Sequence, residues 1–430
     1  MNVYDSARMT DVVAPLGYQP VDEMAEADLV IFNTCHIREK ATDKLFSELG
    51  RLHEIQLERQ TKGERIIVAV AGCVAQAEGP EIKRRAPYVD MIFGPQTYHQ
   101  LPEMIAQITR GAGQVLNTEF PPEPKFDQLP EVESQNSISA FLAIQEGCDK
   151  FCSYCVVPYT RGAEYSRPIS DIVHEAKHLV SQGVKEISLL GQTVNAYHGE
   201  GADGQPHRLG YLINHLAEID GLLRIRYMTS HPSEMDDELI AAHRDVPKLM
   251  PFLHLPVQSG ADSVLKAMNR KHTAKDYLTL IEKLRTARPD ITFSSDFIVG
   301  FPGERDMDFK ATLKLVNEVT FAQSYSFKYS RRPGTPAATM PRQVPEEIKD
   351  ARLTELQELL RNQLRTFNKS CVGKTMPILF ENAGRKGEQI KGRSPYMQSV
   401  HAAGSPTLIG QEIQVKITED KSFSLTGEIV

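Results

Sequence analysis

The sequence predicts an α/β protein in three parts: an N-terminal doubly wound parallel sheet, a central partial (β/α)6 barrel and a C-terminal small β-barrel. Strand and helix patterns alternate over residues 1–111 and again over 134–364, either side of a Pro- and Glu-rich stretch at 112–133. Such alternation implies parallel sheets covered by helices. From 367 to 430 the pattern changes to short alternating runs split by Gly and Ser, which suits a small closed β-barrel.

In the first part, 5–16, 41–60 and 96–110 have helical spacing, while 28–35, 65–73 and 89–94 are short apolar runs of strand type. Ligands in doubly wound sheets gather at the carboxyl ends of strands. Cys35 and Cys73 stand at two such ends. Taken alone they also suit buried structural thiols, since free cysteine is commonly buried. The stretch around Glu119-Phe120-Pro121-Pro122-Glu123-Pro124-Lys125 lacks periodicity and reads as a linker.

The second part offers strands at 139–144, 186–190, 224–230, 252–257, 291–299 and 325–329, with helical stretches between them. Six units are too few to close an eight-fold barrel, so an open one is expected. Just after the first strand come Cys148, Cys152 and Cys155, spaced Cys-x3-Cys-x2-Cys. Three thiolates at this spacing suit one soft metal centre, whether iron–sulfur, zinc or copper(I). A zinc knuckle short of one ligand is the plainer alternative. Polar clusters mark later strand ends: Gly191-Gln192-Thr193, Ser230-His231-Pro232, His254 through Gln258 to Gly260, and Asp296 through Gly300 to Glu304. After the last strand, Arg331 and Arg332 suit a phosphate backbone. A charged helix is expected at 345–368.

The third part has strand runs at 377–381, 389–393, 398–400, 412–417 and 424–429. It carries eight Lys or Arg against six Asp or Glu, although the whole chain of 430 residues has a formal charge of −7. That balance gives no global pull on nucleic acid and leaves local patches to supply it. Lys386, Lys391 and Arg393 with Tyr396 combine cations and a stacking ring, a candidate RNA face. Cys371 sits in the hinge before this barrel and reads as no ligand. Three of the six cysteines lie within eight residues, which excludes a disulfide framework and points to a reducing compartment. No signal-peptide pattern and no run of 18 apolar residues occurs, so a cytoplasmic protein without a membrane span is expected.

Four sets of residues together resemble the radical S-adenosylmethionine (radical SAM) methylthiotransferase family. They are the Cys148–Cys155 loop with Tyr154 before its last cysteine, the strand-end clusters, Asn33-Thr34-Cys35 with Arg38 and Ala41, and Ala71-Gly72-Cys73. The resemblance implies a 4Fe–4S cluster on Cys148, Cys152 and Cys155. Its open iron chelates SAM, and one electron splits SAM to methionine and a 5′-deoxyadenosyl radical. Tyr154, Gly191, Gln192, His254, Gln258, Asp296 and Gly300 fall where the family contacts SAM. Cys35 and Cys73 match two of three cysteines that hold an auxiliary 4Fe–4S cluster in the family. The third belongs to a Gly-Cys-Gln-Met-Asn segment, of which Met1 to Ser6 looks like the continuation, so the natural chain is expected to start upstream. Residues 367–430 look like the family's RNA-binding TRAM domain.

Gly334-Thr335-Pro336-Ala337 and Arg393 to Gln398 look most like the tRNA-modifying branch. That branch makes the 2-methylthio derivative of isopentenyladenosine beside the anticodon, using two SAM molecules. The resemblance further implies the tRNA anticodon loop, a low-potential electron donor of flavodoxin or ferredoxin type, and a sulfur- or cluster-supplying protein as partners of a monomer. Alternatives are methylthiolation of a ribosomal-protein aspartate or of threonylcarbamoyladenosine, and an RNA-binding protein whose cluster is only structural.

Overall fold

The computed structural model describes residues 1–35, 40–132, 137–384 and 387–430. Arg38 and Lys386, singled out above, lie outside the described residues. The chain divides into two compact units: Met1–Glu133 with Glu146–Asp149 and Val156–Glu164, and Ser134–Gln145 with Lys150–Cys155 and Tyr165–Val430. Among the described residues no helix is long and apolar enough to cross a membrane.

The first unit is built on four parallel strands in sequential order: β1 (Leu29–Thr34), β2 (Ile67–Gly72), β3 (Met91–Phe93) and β4 (Val115–Asn117). Alternation along β2 explains the two faces. Ile67, Ala69 and Ala71 join Met9, Val12 and Val13 of α1 (Asn2–Val13) and Leu101, Met104 and Ile105 of α4 (Leu101–Thr109). Val68 and Val70 join Leu45, Leu49 and Leu52 of α2 (Lys40–Thr61) and Val74 and Ile82 of α3 (Cys73–Arg85). Helices on both faces are the doubly wound arrangement, as expected. β2 is buried throughout and β1, at the edge, only partly.

The supposed linker needs correction. Within 112–133, Val115–Asn117 pairs with β3, and Lys125 is among the most buried side chains of the chain. Three residues are too short to show a strand period, and a buried lysine hides in a polar stretch until its partners are known. Those partners form a closed ionic ring inside this unit. Arg161 binds Asp5 at 2.6 Å and Glu146 at 2.5 Å, and Lys125 binds Glu146 at 2.7 Å. Burial alone would raise the Asp5 carboxyl, but Arg161 and Lys125 outweigh it and hold it below its usual value.

The second unit begins with six parallel strands. β5 (Ser139–Ala143), β6 (Glu186–Leu190) and β7 (Arg224–Tyr227) form one triplet; β8 (Phe252–His254), β9 (Thr292–Val299) and β10 (Gln323–Lys328) form the other. A bridge from Ile225 to Leu249 joins β7 to the approach of β8. The row therefore runs in sequence order with β5 and β10 at its ends. It carries apolar residues such as Leu142, Ile187, Leu189, Ile225, Phe293 and Phe297 on one face. In register on the other lie Phe141, Ser188 and Arg226, then His254, Ser294, Asp296 and Tyr325. A hairpin at His198–Glu200 and Pro206–Arg208 was not legible in the sequence.

The chain closes with α5 (Glu346–Cys371) and a closed barrel of β11 (Thr375–Ala383), β12 (Gln389–Arg393), β13 (Ser399–Ala403), β15 (Ser424–Ile429) and β14 (Glu412–Asp420). Ile378, Phe380, Ile390, Val400, Val415, Ile417 and Leu425 fill it. Cys371 ends α5 and is buried in this same core, away from any ligand role. Two arginines of β7 fasten the barrel to the strand row. Arg224 reaches Glu412 at 2.6 Å, Arg393 O at 2.8 Å and Pro377 O at 2.9 Å. Arg226 donates to Pro395 O and Ser394 O, with its Nε 3.0 Å from Glu186.

Candidate active site

The cysteine loop leaves β5 through a backbone that only glycine permits. Gly147 has φ 76°, and a Cβ there would sit 1.9 Å from Ala163 O. Cys148 belongs to the first unit, buried, with its N–H donating to Gly162 O at 3.3 Å. Cys152 and Cys155 belong to the second unit and are joined by a turn in which Cys155 N–H donates to Cys152 O at 2.9 Å. Other segments hold this turn. Ser153 Oγ donates to Ala267 O, Asn269 Nδ2 to Phe151 O, and Ala337 N–H to Ser153 O. The last contact sets the Arg331–Ala337 segment beside the cysteine loop.

None of the six cysteines is joined in a disulfide. Among the described residues no three Cys, His, Asp or Glu side chains stand gathered as a ready ligand set. The donor chemistry nonetheless fits an iron–sulfur cluster, because the loop supplies thiols and a hydrogen-bond donor faces one of them. Arg270 Nη1 lies 3.8 Å from Cys152 Sγ, and Nη2 donates to Pro256 O. N–H groups on cluster sulfurs are one of the means by which proteins tune such centres. Sequence reading missed Arg270, whose only local signal is a basic residue after Met268-Asn269. Next to it, burial, then Arg270, His272 and Lys150, push His231 down to about 2. His231 accepts from Ser233 and is a neutral, structural imidazole.

Tyr154 packs edge-on to Phe301 at 6.5 Å, its hydroxyl pushed well above the usual phenol range by burial and then by Cys152. Gly191 admits the Gln145 side chain, for a Cβ would lie 2.4 Å from Gln145 Oε1. That oxygen accepts from the backbone N–H groups of Gln192 and Thr193 at 2.8 and 3.2 Å. His254 Nδ1 lies 3.0 Å from Ser294 Oγ and Nε2 lies 3.6 Å from Asp296. Gln258 takes a left-handed φ of 73° and exchanges backbone bonds with Asp296 and Ile298. Gly300 has φ 71°, its N–H donates to Glu304 at 2.9 Å, and a Cβ there would lie 2.3 Å from Lys349 Cγ. His254 at the end of β8, Gln258 just beyond it and Asp296 within β9 are thereby brought together, and Gln192 follows the end of β6.

In the first unit, Cys35 and Cys73 each follow a member of the registered pair Thr34 and Gly72, so they leave adjacent strands side by side. Gly72 is obligatory there: φ is 88°, and a Cβ would lie 2.5 Å from both Asn33 Oδ1 and Thr34 O. Burial opposes the charge of Arg161, but Asp5, Glu146 and the Cys73 thiol outweigh it and raise its pKa further.

The candidate RNA residues of the barrel also make contacts within the chain. Arg393 pairs with Glu381 at 3.5 Å and donates to Met397 O, while its own carbonyl is held by Arg224. Tyr396 packs edge-on to Phe367 at 5.6 Å and, with Arg288, Pro251 and Met376, lines a cleft of about 690 Å³ against the strand row. The Arg393 side chain is thus tied within the barrel and part-exposed, while Tyr396 lies at the joint between barrel and core. Lys391 is half-buried on β12, and Arg331 is exposed. A second feature missed in the sequence is aromatic. Phe141, Tyr325 and Phe327 are 45%, 44% and 37% exposed on the end strands of the row, although their spacing alone reads as core.

Residues 142–316 match the Radical SAM superfamily, 1–94 the Uncharacterized protein family UPF0004, and 369–430 the TRAM domain. The tRNA-2-methylthio-N(6)-dimethylallyladenosine synthase of Maricaulis maris (strain MCS10) is 56% identical over 433 residues, spanning 100% of this chain and 95% of that protein. Among solved structures, the radical S-adenosylmethionine methyltransferase TsrM from Kitasatospora setae has a TM-score of 0.57 at 15% identity, covering 78% of this chain and 72% of its own. The cobalamin-dependent S-adenosylmethionine radical enzyme OxsB has 0.55 at 11% identity, covering 83% and 53%. At these identities the two structures show a shared fold.

Proposed function

The chain belongs to the radical SAM methylthiotransferase family, and we propose that it converts N6-dimethylallyladenosine beside the anticodon of tRNA to its 2-methylthio form. The single observation that carries this is end-to-end similarity at 56% identity to a protein named for that reaction. That name favours dimethylallyladenosine over an aspartate or threonylcarbamoyladenosine, and an enzyme over a protein that only binds RNA.

Cys148, Cys152 and Cys155 would hold the 4Fe–4S cluster that, with SAM, supplies the one-electron chemistry an unactivated adenine C–H bond demands. The chain's own residues then bind and orient. Gln145 fixes the turn at Gly191 and Gln192, which leaves the end of β6 open to the amino group of SAM. His254, Gln258 and Asp296 offer polar groups to its ribose and methionine parts, and Gly300 leaves room near adenine. Arg270 holds Pro256 O and faces Cys152, so the strand end and the thiol keep one spacing. The target base must leave its stack to reach such a centre. Arg331 and Arg332, on the segment beside the cysteine loop, are our candidates for its phosphates.

Cys35 and Cys73 would supply two ligands of an auxiliary 4Fe–4S cluster. The remaining partners are tRNA, a flavodoxin- or ferredoxin-type donor and a sulfur-supplying protein, in the cytoplasm, with the enzyme a monomer. Iron counting after anaerobic reconstitution tests the cluster content: about eight irons per chain supports both clusters, and about four removes the auxiliary one. Zinc in place of iron overturns the enzyme reading.

A further inference from the structure

We propose that the inner face of β10 is the shelf on which the target base lies, with Tyr325 as its stacking surface and Phe327 as the contact for the base's apolar branch. The inference rests on the reading above and adds the subsite.

A closed eight-fold barrel fills its interior with bulky side chains, whereas this row has six strands and two ends. Among the described residues, the inner face carries uncovered rings at its two ends. On β10, Tyr325 and Phe327 are two residues apart and therefore share a face. In register beside them on β9 are Asp296 and Ile298, which assigns that face to the side of the candidate cofactor residues. Tyr325 also meets His254 edge-on, ring centres 6.1 Å apart, and its hydroxyl accepts from Gln323 Nε2 at 2.9 Å. The opposite face of the strand is taken. Lys328 points there to Asp350 at 2.7 Å and Glu346 at 3.2 Å on α5. On the other end strand, Phe141 lies in register with Ser188 and so, through it, with Arg226 on the inner face.

Large apolar rings left open on an inner face need an occupant, whereas singly scattered surface ones do not. The occupant's chemistry follows from the wall. A planar base stacks on a tyrosine ring whatever its edge pattern. A short branched hydrocarbon gains from burial against Phe327. Polar groups of Asp296 and His254 border the shelf on the cofactor side. A nucleobase bearing an apolar branch meets all three conditions.

Anaerobically reconstituted full-length protein would be titrated with two synthetic anticodon stem-loops, one with plain adenosine and one with N6-dimethylallyladenosine at the target position. Wild type should prefer the dimethylallyl RNA. Tyr325→Ala should weaken both RNAs roughly tenfold, at the lower part of the range for loss of base stacking, and leave the preference intact. Phe327→Ala should cut the preference about tenfold and leave the plain RNA unchanged. If either variant melts lower than wild type, Tyr325→Leu, which removes the ring, and Phe327→Gln, which removes the apolar contact at a chain length closer to the original, carry the same comparison. Folded variants that bind both RNAs within about twofold of wild type overturn the shelf. A loss confined to one variant overturns the role of the other ring. A wild-type protein without preference, and without 2-methylthio product, overturns the functional reading instead.

Discussion

Replacing Arg224 by methionine removes the donors that fasten the C-terminal barrel while keeping most of the stem. The arginine is fully buried and makes three bonds, to the Glu412 carboxylate and to the carbonyls of Arg393 and Pro377. Charge-assisted bonds contribute about 2 kcal/mol each, which would sum to roughly 6. Relief of the arginine's own desolvation offsets part of that, and removing one member of a buried ionic set typically costs about 3–5 kcal/mol. We take about 3 kcal/mol. Since Arg226 still holds Ser394 and Pro395, the barrel should stay attached and open only transiently. The loss should appear as easier local opening of the barrel, by somewhat more than a hundredfold at about 1.4 kcal/mol per tenfold. Hydrogen exchange of peptides covering β12 and β13 measures it directly. Protection there within about threefold of wild type would refute the view that Arg224 is a main fastening.

Other substitutions probe the site. Cys148→Ala should lose about four irons per chain and stop SAM cleavage, read by iron assay and by deoxyadenosine production; persistent deoxyadenosine would remove Cys148 from the ligand set. Gly191→Ala forces a methyl group to 2.4 Å from Gln145 Oε1, so Gln145 must move and release Gln192 N–H. It should cost about 1–3 kcal/mol and weaken SAM binding in equilibrium dialysis, and unchanged SAM affinity would take Gly191 out of the cofactor site. Acid should destabilise the protein through its buried imidazoles. Burial, then Arg288, lowers His243 to about 3, and His231 lies at about 2. Both are neutral when folded and take up a proton when unfolded below pH 6.5. Stability is therefore complete above pH 6.5 and falls by about 1.4 kcal/mol per unit for each as pH drops toward the folded values. Urea midpoints between pH 7 and 5 should fall, and His243→Gln should flatten the slope; a flat wild-type profile would contradict the assignment.

Much of this was legible because period and chemistry agree locally. The strands at Glu186–Leu190 and Gln389–Arg393 match their sequence patterns to the residue. Three thiols in eight residues announce a soft-metal loop whatever surrounds them. What escaped was tertiary. The strand Val115–Asn117 is too short for a pattern, and Lys125 looks solvated until Asp5, Glu146 and Arg161 close around it. Arg393 and Tyr396 look like an RNA surface by composition, and no local pattern shows that they also meet Glu381, Met397 and Phe367. Arg270 reaches Cys152 from a loop more than a hundred residues away, a separation that no local pattern encodes.

The most direct test of the whole account is nucleoside mass spectrometry of tRNA from a strain lacking this gene, complemented with wild type or with Cys148→Ala. Recovery of 2-methylthio-N6-dimethylallyladenosine with wild type alone, and its unmethylthiolated precursor with the variant, is the expected result. Full recovery with the alanine variant, or no recovery with either, would contradict the claim that this loop of thiols makes the chain a tRNA methylthiotransferase.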